Sequence, residues 1–199
     1  MWDQRYSAPG YLFGTEAAAF LRREGGRLAP ASRVLAVADG EGRNAVWLAR
    51  QGHEVVAFDA SAVAVEKARR LAEGAGVTVA FHVAGVEAWD WEAGGFDAVV
   101  AVFIQFAAPA LRAEIFAGMA RALRPGGMLL LHGYAPRQVG YGTGGPSAPE
   151  NMYTLELLRE AFAGWEVLHA EDYDAEIVEG TGHAGRSGLI DFVAVKPGR

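Results

Sequence analysis

The feature that most constrains this chain is an alternation. Short apolar runs, each suited to a buried strand, are separated by stretches of helical pattern. The runs are "RVLAVA", "EVVAFDA", "VTVAFHVA", "FDAVVAVF" and "MLLLHG". Between them lie "GRNAVWLARQG", which begins at Gly42, and "SAVAVEKARRLAEGAG", with Ser61 at its cap. A third helix, "PALRAEIFAGMARAL", opens at Pro109, whose missing N–H costs nothing in a first turn. Its Leu111, Ile115, Met119 and Leu123 recur at one-turn spacing and form an apolar stripe. An earlier helix, "TEAAAFLRREGG", takes Thr15 as N-cap and stops at Gly25-Gly26. Strands alternating with helices in this order predict right-handed crossovers and a parallel sheet.

The alternation breaks after residue 133. "GYAPRQVGYGTGGPSAPENM" is a long Gly/Pro-rich loop, of a length that usually serves function. The helix "TLELLREAFAG" follows. The runs "WEVLHAEDYDAEIVEG" and "GLIDFVAVKP" are then joined only by "TGHAGRS", too short for a parallel crossover. The expected fold is α/β, a doubly wound, mostly parallel sheet of about seven strands with an antiparallel hairpin at its C-terminal end. The expected organisation is one domain over 1–199, with an N-terminal lid and helix over 1–30, a ligand-binding core over 31–133, and a substrate-side loop, helix and hairpin over 134–199.

Composition narrows the partners. At 199 residues, 51% hydrophobic and 21% charged, the chain can bury a core of ordinary size. Its net charge is −6 and its Lys and Arg do not cluster, which argues against nucleic acid and anionic membrane. The absence of cysteine excludes disulfides, thiolate catalysis and cysteine-ligated metal. The start, "MWDQRYSAPG", carries charge where a signal peptide needs an apolar core, and "AVVAVFIQFAAPAL" is too short to span a bilayer. A cytoplasmic location is expected. The oligomeric state is not legible.

In a doubly wound sheet, ligands bind outside the carboxyl ends of the strands. The first strand-to-helix turn is "ADGEG", where Gly40 and Gly42 let backbone approach a ligand closely. The second strand ends in Asp59, at a spacing that suits a carboxylate accepting both hydroxyls of a ribose. A phosphate-binding loop would need Gly-Lys-Ser or Gly-Lys-Thr, and this turn ends "GRN". A dinucleotide site would need a third glycine where Arg43 stands, and Asp39 and Glu41 would repel a pyrophosphate. The acidic turn better suits a nucleoside that carries positive charge and no phosphate. S-adenosylmethionine fits that description.

At these residues the chain resembles class I S-adenosylmethionine-dependent methyltransferases, and more narrowly their tellurite-resistance and thiopurine methyltransferase-like branch. "WDQRYSAPGYLFGTEAAAFL" resembles that branch's lid, "GEGRNAVWLA" its first cofactor motif, and "LRPGG" the turn before the fifth strand. "VGYGTGGP" and "EGTGHAGRSG" resemble its substrate-side loops. The resemblance implies a Rossmann-like fold with S-adenosyl-L-methionine as cofactor. It further implies that Ala38, Asp39, Gly40 and Gly42 line the methionine and ribose portions. Asp59 takes the ribose, with Ala60 beside the adenine; Gly85 and Val86 cover that ring. Val102, Phe103 and Ile104 form the floor, and Tyr11, Phe13 and Gly14 close the lid. The chain departs from the pattern at Ala36, where an acid is usual, at Ala38, in place of the motif's first glycine, and at Gly85 and Gln105. Asp39 is expected to supply the missing negative charge.

Methyl transfer asks the protein mainly to align donor and acceptor and to exclude water. Soft nucleophiles such as thiols, selenium or tellurium species need little help from a base, whereas a hydroxyl or protonated amine needs one. His183 is the candidate base and Arg186 a candidate holder of an anionic acceptor. Tyr6 and Tyr141 are candidate acceptor-binding residues, in an apolar pocket that Tyr11 and Phe13 could extend. Trp89, Trp91 and Trp165 are assigned to packing, and no metal site is expected. The leading reading is an enzyme acting on a small molecule. A non-catalytic binder of S-adenosylmethionine or S-adenosylhomocysteine, and a nicotinamide-dependent reductase, are the alternatives.

Overall fold

The protein is described by a computed structural model covering residues 2–198. The strands are β1 (Arg33–Val37), β2 (Glu54–Asp59), β3 (Ala80–Val83), β4 (Phe96–Val102), β5 (Leu123–Tyr134), β6 (Glu166–Glu179) and β7 (His183–Val195). They form one seven-stranded sheet in the order β3-β2-β1-β4-β5-β7-β6. The first five strands are parallel, and β7 lies antiparallel between β5 and β6. The α/β reading and the terminal hairpin are both present. The reason is the one the loop lengths dictate: only residues 180–182 separate β6 from β7, too few to carry the chain back to a parallel start.

The helices are α1 (Trp2–Tyr6), α2 (Ala19–Glu24), α3 (Arg43–Arg50), α4 (Ala62–Ala75), α5 (Pro109–Ala122), α6 (Gln138–Tyr141) and α7 (Leu155–Ala161). Ser61 caps α4 by accepting from the Ala64 N–H at 3.1 Å, and Pro109 opens α5. Thr15 does not cap α2, which starts at Ala19. The N–H groups at its start are taken by distant side chains: Ala18 donates to Asn44 Oδ1 at 3.0 Å and Ala19 to Glu179 Oε1 at 3.1 Å. Those partners lie far along the chain, so no local pattern could mark the start. The loop after residue 133 is not wholly irregular, since α6 and a short turn at Pro149–Asn151 form within it.

Both faces of the inner strands are covered, which is why β1, β4 and much of β5 and β7 are continuously apolar rather than alternating, whereas the edge strands β3 and β6 are largely exposed. On β1, Leu35 and Val37 join Val99, Leu129, Leu131 and Phe192 under α5 and α7, where Ile115, Met119 and Leu158 pack. Val34 and Ala36 face the other way, with Val55, Val100, Leu130 and Val193, under Phe20 and Leu21 of α2 and Leu48 of α3. Ala36 is thus core on that second face. Among the described residues, no helix is long and apolar enough to cross a membrane.

Candidate active site

A cavity of about 410 Å³ opens at the carboxyl ends of β1, β2 and β4. That volume suits a small-molecule ligand. Its first wall is the turn after β1. Ala38 (φ 47°), Gly40 (φ 59°) and Gly42 (φ 87°) all lie in the left-handed region. Two glycines adopt that backbone freely, whereas the alanine is held there at a cost of about 1–2 kcal/mol. Gly42 itself is the N-cap of α3, pressed on Ala68, where a Cβ would come within 2.6 Å of the Ala68 Cβ. It shapes the turn without lining the cavity.

Asp59 closes that wall. Its Oδ2 accepts from Gly40 N–H at 2.9 Å and its Oδ1 from Ser61 N–H at 2.8 Å. A carboxylate offers about four lone-pair sites, so each oxygen keeps one for a ligand. Burial pushes the Asp59 carboxyl up, while the Ser61 and Gly40 amides favour its charged form. Asp39 accepts from Ala45 N–H at 3.2 Å; burial pushes its carboxyl up to about 7, against the pull of that amide and of Arg43. Glu41 takes no part. Its carboxylate is turned into the fold, 2.9 Å from Lys67 Nζ, and accepts from Leu12 N–H at 2.7 Å.

The second wall is the N-terminal segment, which lies across the cavity as a lid. Lys67 also donates to the carbonyls of Ala8 and Gly10, at 2.8 and 2.7 Å. Arg43 donates to the carbonyls of Phe13 (3.2 Å) and Glu16 (3.4 Å) and pairs with Glu179 at 2.7 Å, both side chains being buried. The hairpin tip presses on the same segment, with Thr181 and Gly182 N–H groups donating to the Leu12 carbonyl. The lid delivers Trp2, Arg5, Tyr6 and Phe13 to the cavity. The Tyr6 hydroxyl stands against Gly40, where a Cβ would sit 2.8 Å from it, and has no hydrogen-bond partner among the described residues. Burial, then Asp59 and Glu41, keep that phenol protonated and therefore a donor.

At the far end His183 is stacked between Phe13 and Phe103, with ring centroids 4.3 Å away on each side. Its Nδ1 lies 2.5 Å from the Tyr134 hydroxyl. Phe103, which follows β4, is held at φ 56°. Behind it His132 meets Asp191 at 2.6 Å, and Arg23 and Tyr173 complete a network around that fully buried carboxylate. Gln105 lines the cavity, but its amide is used on the Tyr134 backbone in both directions.

The cavity brings together Tyr6, Phe13, Ala38, Asp39, Gly40, Asp59, Ala60, Gly85, Val86, Val102, Phe103 and His183. It leaves out Tyr11, Gly14, Gly42, Ile104, Tyr141 and Arg186, all of which the sequence pointed to. Tyr11 donates to the Lys67 carbonyl, Gly14 packs against Gly180, and Ile104 is in the core. Tyr141 and Arg186 both bind Asp174 on the exposed side of the hairpin, at 2.6 and 2.9 Å. Residues not anticipated include Trp2, Arg5, Arg43, Asn44, Phe106, Tyr134 and Pro146. Arg43 and Asn44 lie inside the quoted motif, so their proximity to the turn was a usable signal. Trp89 stacks on Phe58 at 4.3 Å, as a packing residue should. His169, Glu171 and Asp191 could converge on a cation, but Arg23 and His132 already hold Asp191.

The methyltransferase domain family matches residues 34–127. No curated protein matches the chain in sequence. Among solved structures, the chain is similar to a protein studied for the conversion of a disulfide bond into a thioacetal group during echinomycin biosynthesis. The TM-score is 0.79 at 20% identity, covering 100% of this chain and 92% of that one. It is similar to a TehB-like S-adenosylmethionine-dependent methyltransferase from Corynebacterium glutamicum, with a TM-score of 0.66 at 18% identity over 97% and 93% of the two chains. It is also similar to magnesium protoporphyrin IX methyltransferase from Synechocystis with S-adenosylmethionine bound, with a TM-score of 0.63 at 17% identity over 89% and 75%. At these identities the likeness is one of fold.

Proposed function

We propose that the chain is a class I methyltransferase with S-adenosylmethionine as its cofactor, and that it methylates a small molecule through a soft nucleophile: a thiol, selenium or tellurium species. The observation that carries this is the division of the cavity. Hydrogen-bonding groups gather at the turn and Asp59, and the rings of Phe13, Phe103 and Tyr134 surround His183. The residues present fit the cofactor. Asp59 keeps lone pairs for two sugar hydroxyls, Gly40 leaves room for backbone approach, and the unpartnered Tyr6 hydroxyl can donate to the amino-acid carboxylate.

When bound, the cofactor supplies an electrophilic methyl group on a sulfonium. The chain's own residues do the rest. Asp39 offers negative charge beside the turn. Phe13, Phe103 and Tyr134 exclude water from the acceptor end and limit the orientations an acceptor can take, which is where alignment contributes to rate. Product formation from S-adenosylmethionine with thiols, tellurite and small phenols, followed by mass spectrometry, tests the reading. Methylated thiol or tellurium product is expected. Methylation of phenols alone would overturn the soft-nucleophile assignment.

A further inference from the structure

His183 is the one imidazole that lines the cavity. Its ring plane is fixed by Phe13 on one face and Phe103 on the other, so its two nitrogens have settled neighbours. Nδ1 meets the hydroxyl of Tyr134, a residue only 1% exposed. That hydroxyl has no other partner among the described residues. If Nδ1 carried the ring proton, the phenol hydrogen would be left without a protein acceptor in a buried place, which costs more than the hydrogen bond gains. The phenol therefore donates to Nδ1, and the proton of the neutral ring sits on Nε2. Nε2 has no protein partner among the described residues. It is also absent from the sealed polar atoms that lack one, which are His53 Nδ1, Trp89 Nε1 and the Tyr153 hydroxyl. It faces the cavity.

We propose that His183 binds the methyl acceptor as a fixed Nε2–H donor and does not remove a proton from it. This rests on the methyl-transfer reading above. The consequence is a restriction on substrate class: the reacting atom arrives already unprotonated and able to accept a hydrogen bond. Its lone pair forms the new bond to carbon while the bond from carbon to sulfur breaks with its pair on sulfur, and no proton leaves. The charges around the ring agree. Burial and the Arg43 guanidinium from α3, with His132 of β5 and Arg5 of α1, outweigh Glu179 of β6 and hold His183 far below its ordinary value, at about 3.

The test begins on the protein alone. Nitrogen-15 spectra of histidine-labelled protein, with His183 assigned by its loss in His183→Gln, should show one Nε2–H form unchanged from about pH 5 to pH 9. An Nδ1–H form, or a ring that titrates near neutrality, would overturn the proposal and leave methyl transfer untouched. In the second arm, kcat/KM is measured with an arenethiol and with an aliphatic amine of similar size. His183→Gln puts an amide N–H near the place of Nε2 and should stay within about fivefold of the parent, whereas His183→Leu should lose about 10- to 100-fold. Equal losses in the two variants, or an amine methylated as fast as the arenethiol at pH 7, contradict a donor role. If no acceptor is methylated at all, the functional reading fails, yet the spectrum still decides where the proton is.

Discussion

Asp39 is the residue where the chemistry of the turn is most exposed to test. With its carboxyl pushed up to about 7, much of it is protonated at pH 6 while the site is free of ligand. A cation beside it draws that proton off, so affinity for S-adenosylmethionine should rise about tenfold from pH 6 to pH 7.5, with proton release on binding. Asp39→Asn should bind more weakly at pH 7.5 and show a flat profile in calorimetry; an unchanged affinity would remove Asp39 from the site. Gly42 carries a purely steric prediction. A Cβ there meets the Ala68 Cβ at 2.6 Å and Cα at 2.9 Å, at a backbone angle that L residues avoid. Gly42→Ala should cost about 3 kcal/mol and lower Tm by roughly 10 °C. Both residues stood out in the sequence because glycines and acids in a strand-to-helix turn have local meaning. Glu41 shows the limit of that reasoning. Its charge looked available to a ligand, but Lys67 and the Leu12 amide, distant in sequence, had already claimed it.

At the level of elements, the lid is held by charges that converge from α3, α4 and the end of β6. Arg43 and Glu179 are a buried pair, so Glu179→Gln leaves the guanidinium uncompensated and should destabilise the protein by about 3 kcal/mol. Burial opposes ionisation of Glu179, but Arg43 beside it prevails and holds the carboxyl below its ordinary value. A carboxyl lowered by folding contributes stability in full above its unfolded pKa and loses it as pH falls through the folded one. The Ala19 amide, which donates to Glu179, should therefore shift as the solution is acidified below about pH 4. In Glu179→Gln it should already be shifted at pH 7. None of this was legible, because the pair spans residues far apart and no periodicity links them. The misplacement of Arg186, by contrast, could have been avoided. In a strand successive side chains alternate between faces, so a residue three beyond His183 cannot share its side of the sheet.

For the molecule as a whole, the order of elements was enough to give the sheet and the end of it at which the cavity opens. Strand-helix alternation and connection length are global properties carried by every segment at once. The site divides along the same line. Asp59, Ala60, Gly85 and Val86 follow from topology and were anticipated, whereas Trp2 and Arg5 come from α1, Phe106 from the short β4–α5 connection and Pro146 from the loop after β5, segments whose paths depend on tertiary contacts. The whole account rests on Asp59 gripping the sugar of a nucleoside methyl donor at the mouth of the sheet. Titration calorimetry with S-adenosylmethionine, on the parent and on Asp59→Ala, tests this most directly. The account predicts saturable heat for the parent and binding about 10- to 100-fold weaker for the variant, the loss expected for hydrogen bonds to a charged group. No heat with the parent, or equal affinity in both proteins, would contradict it.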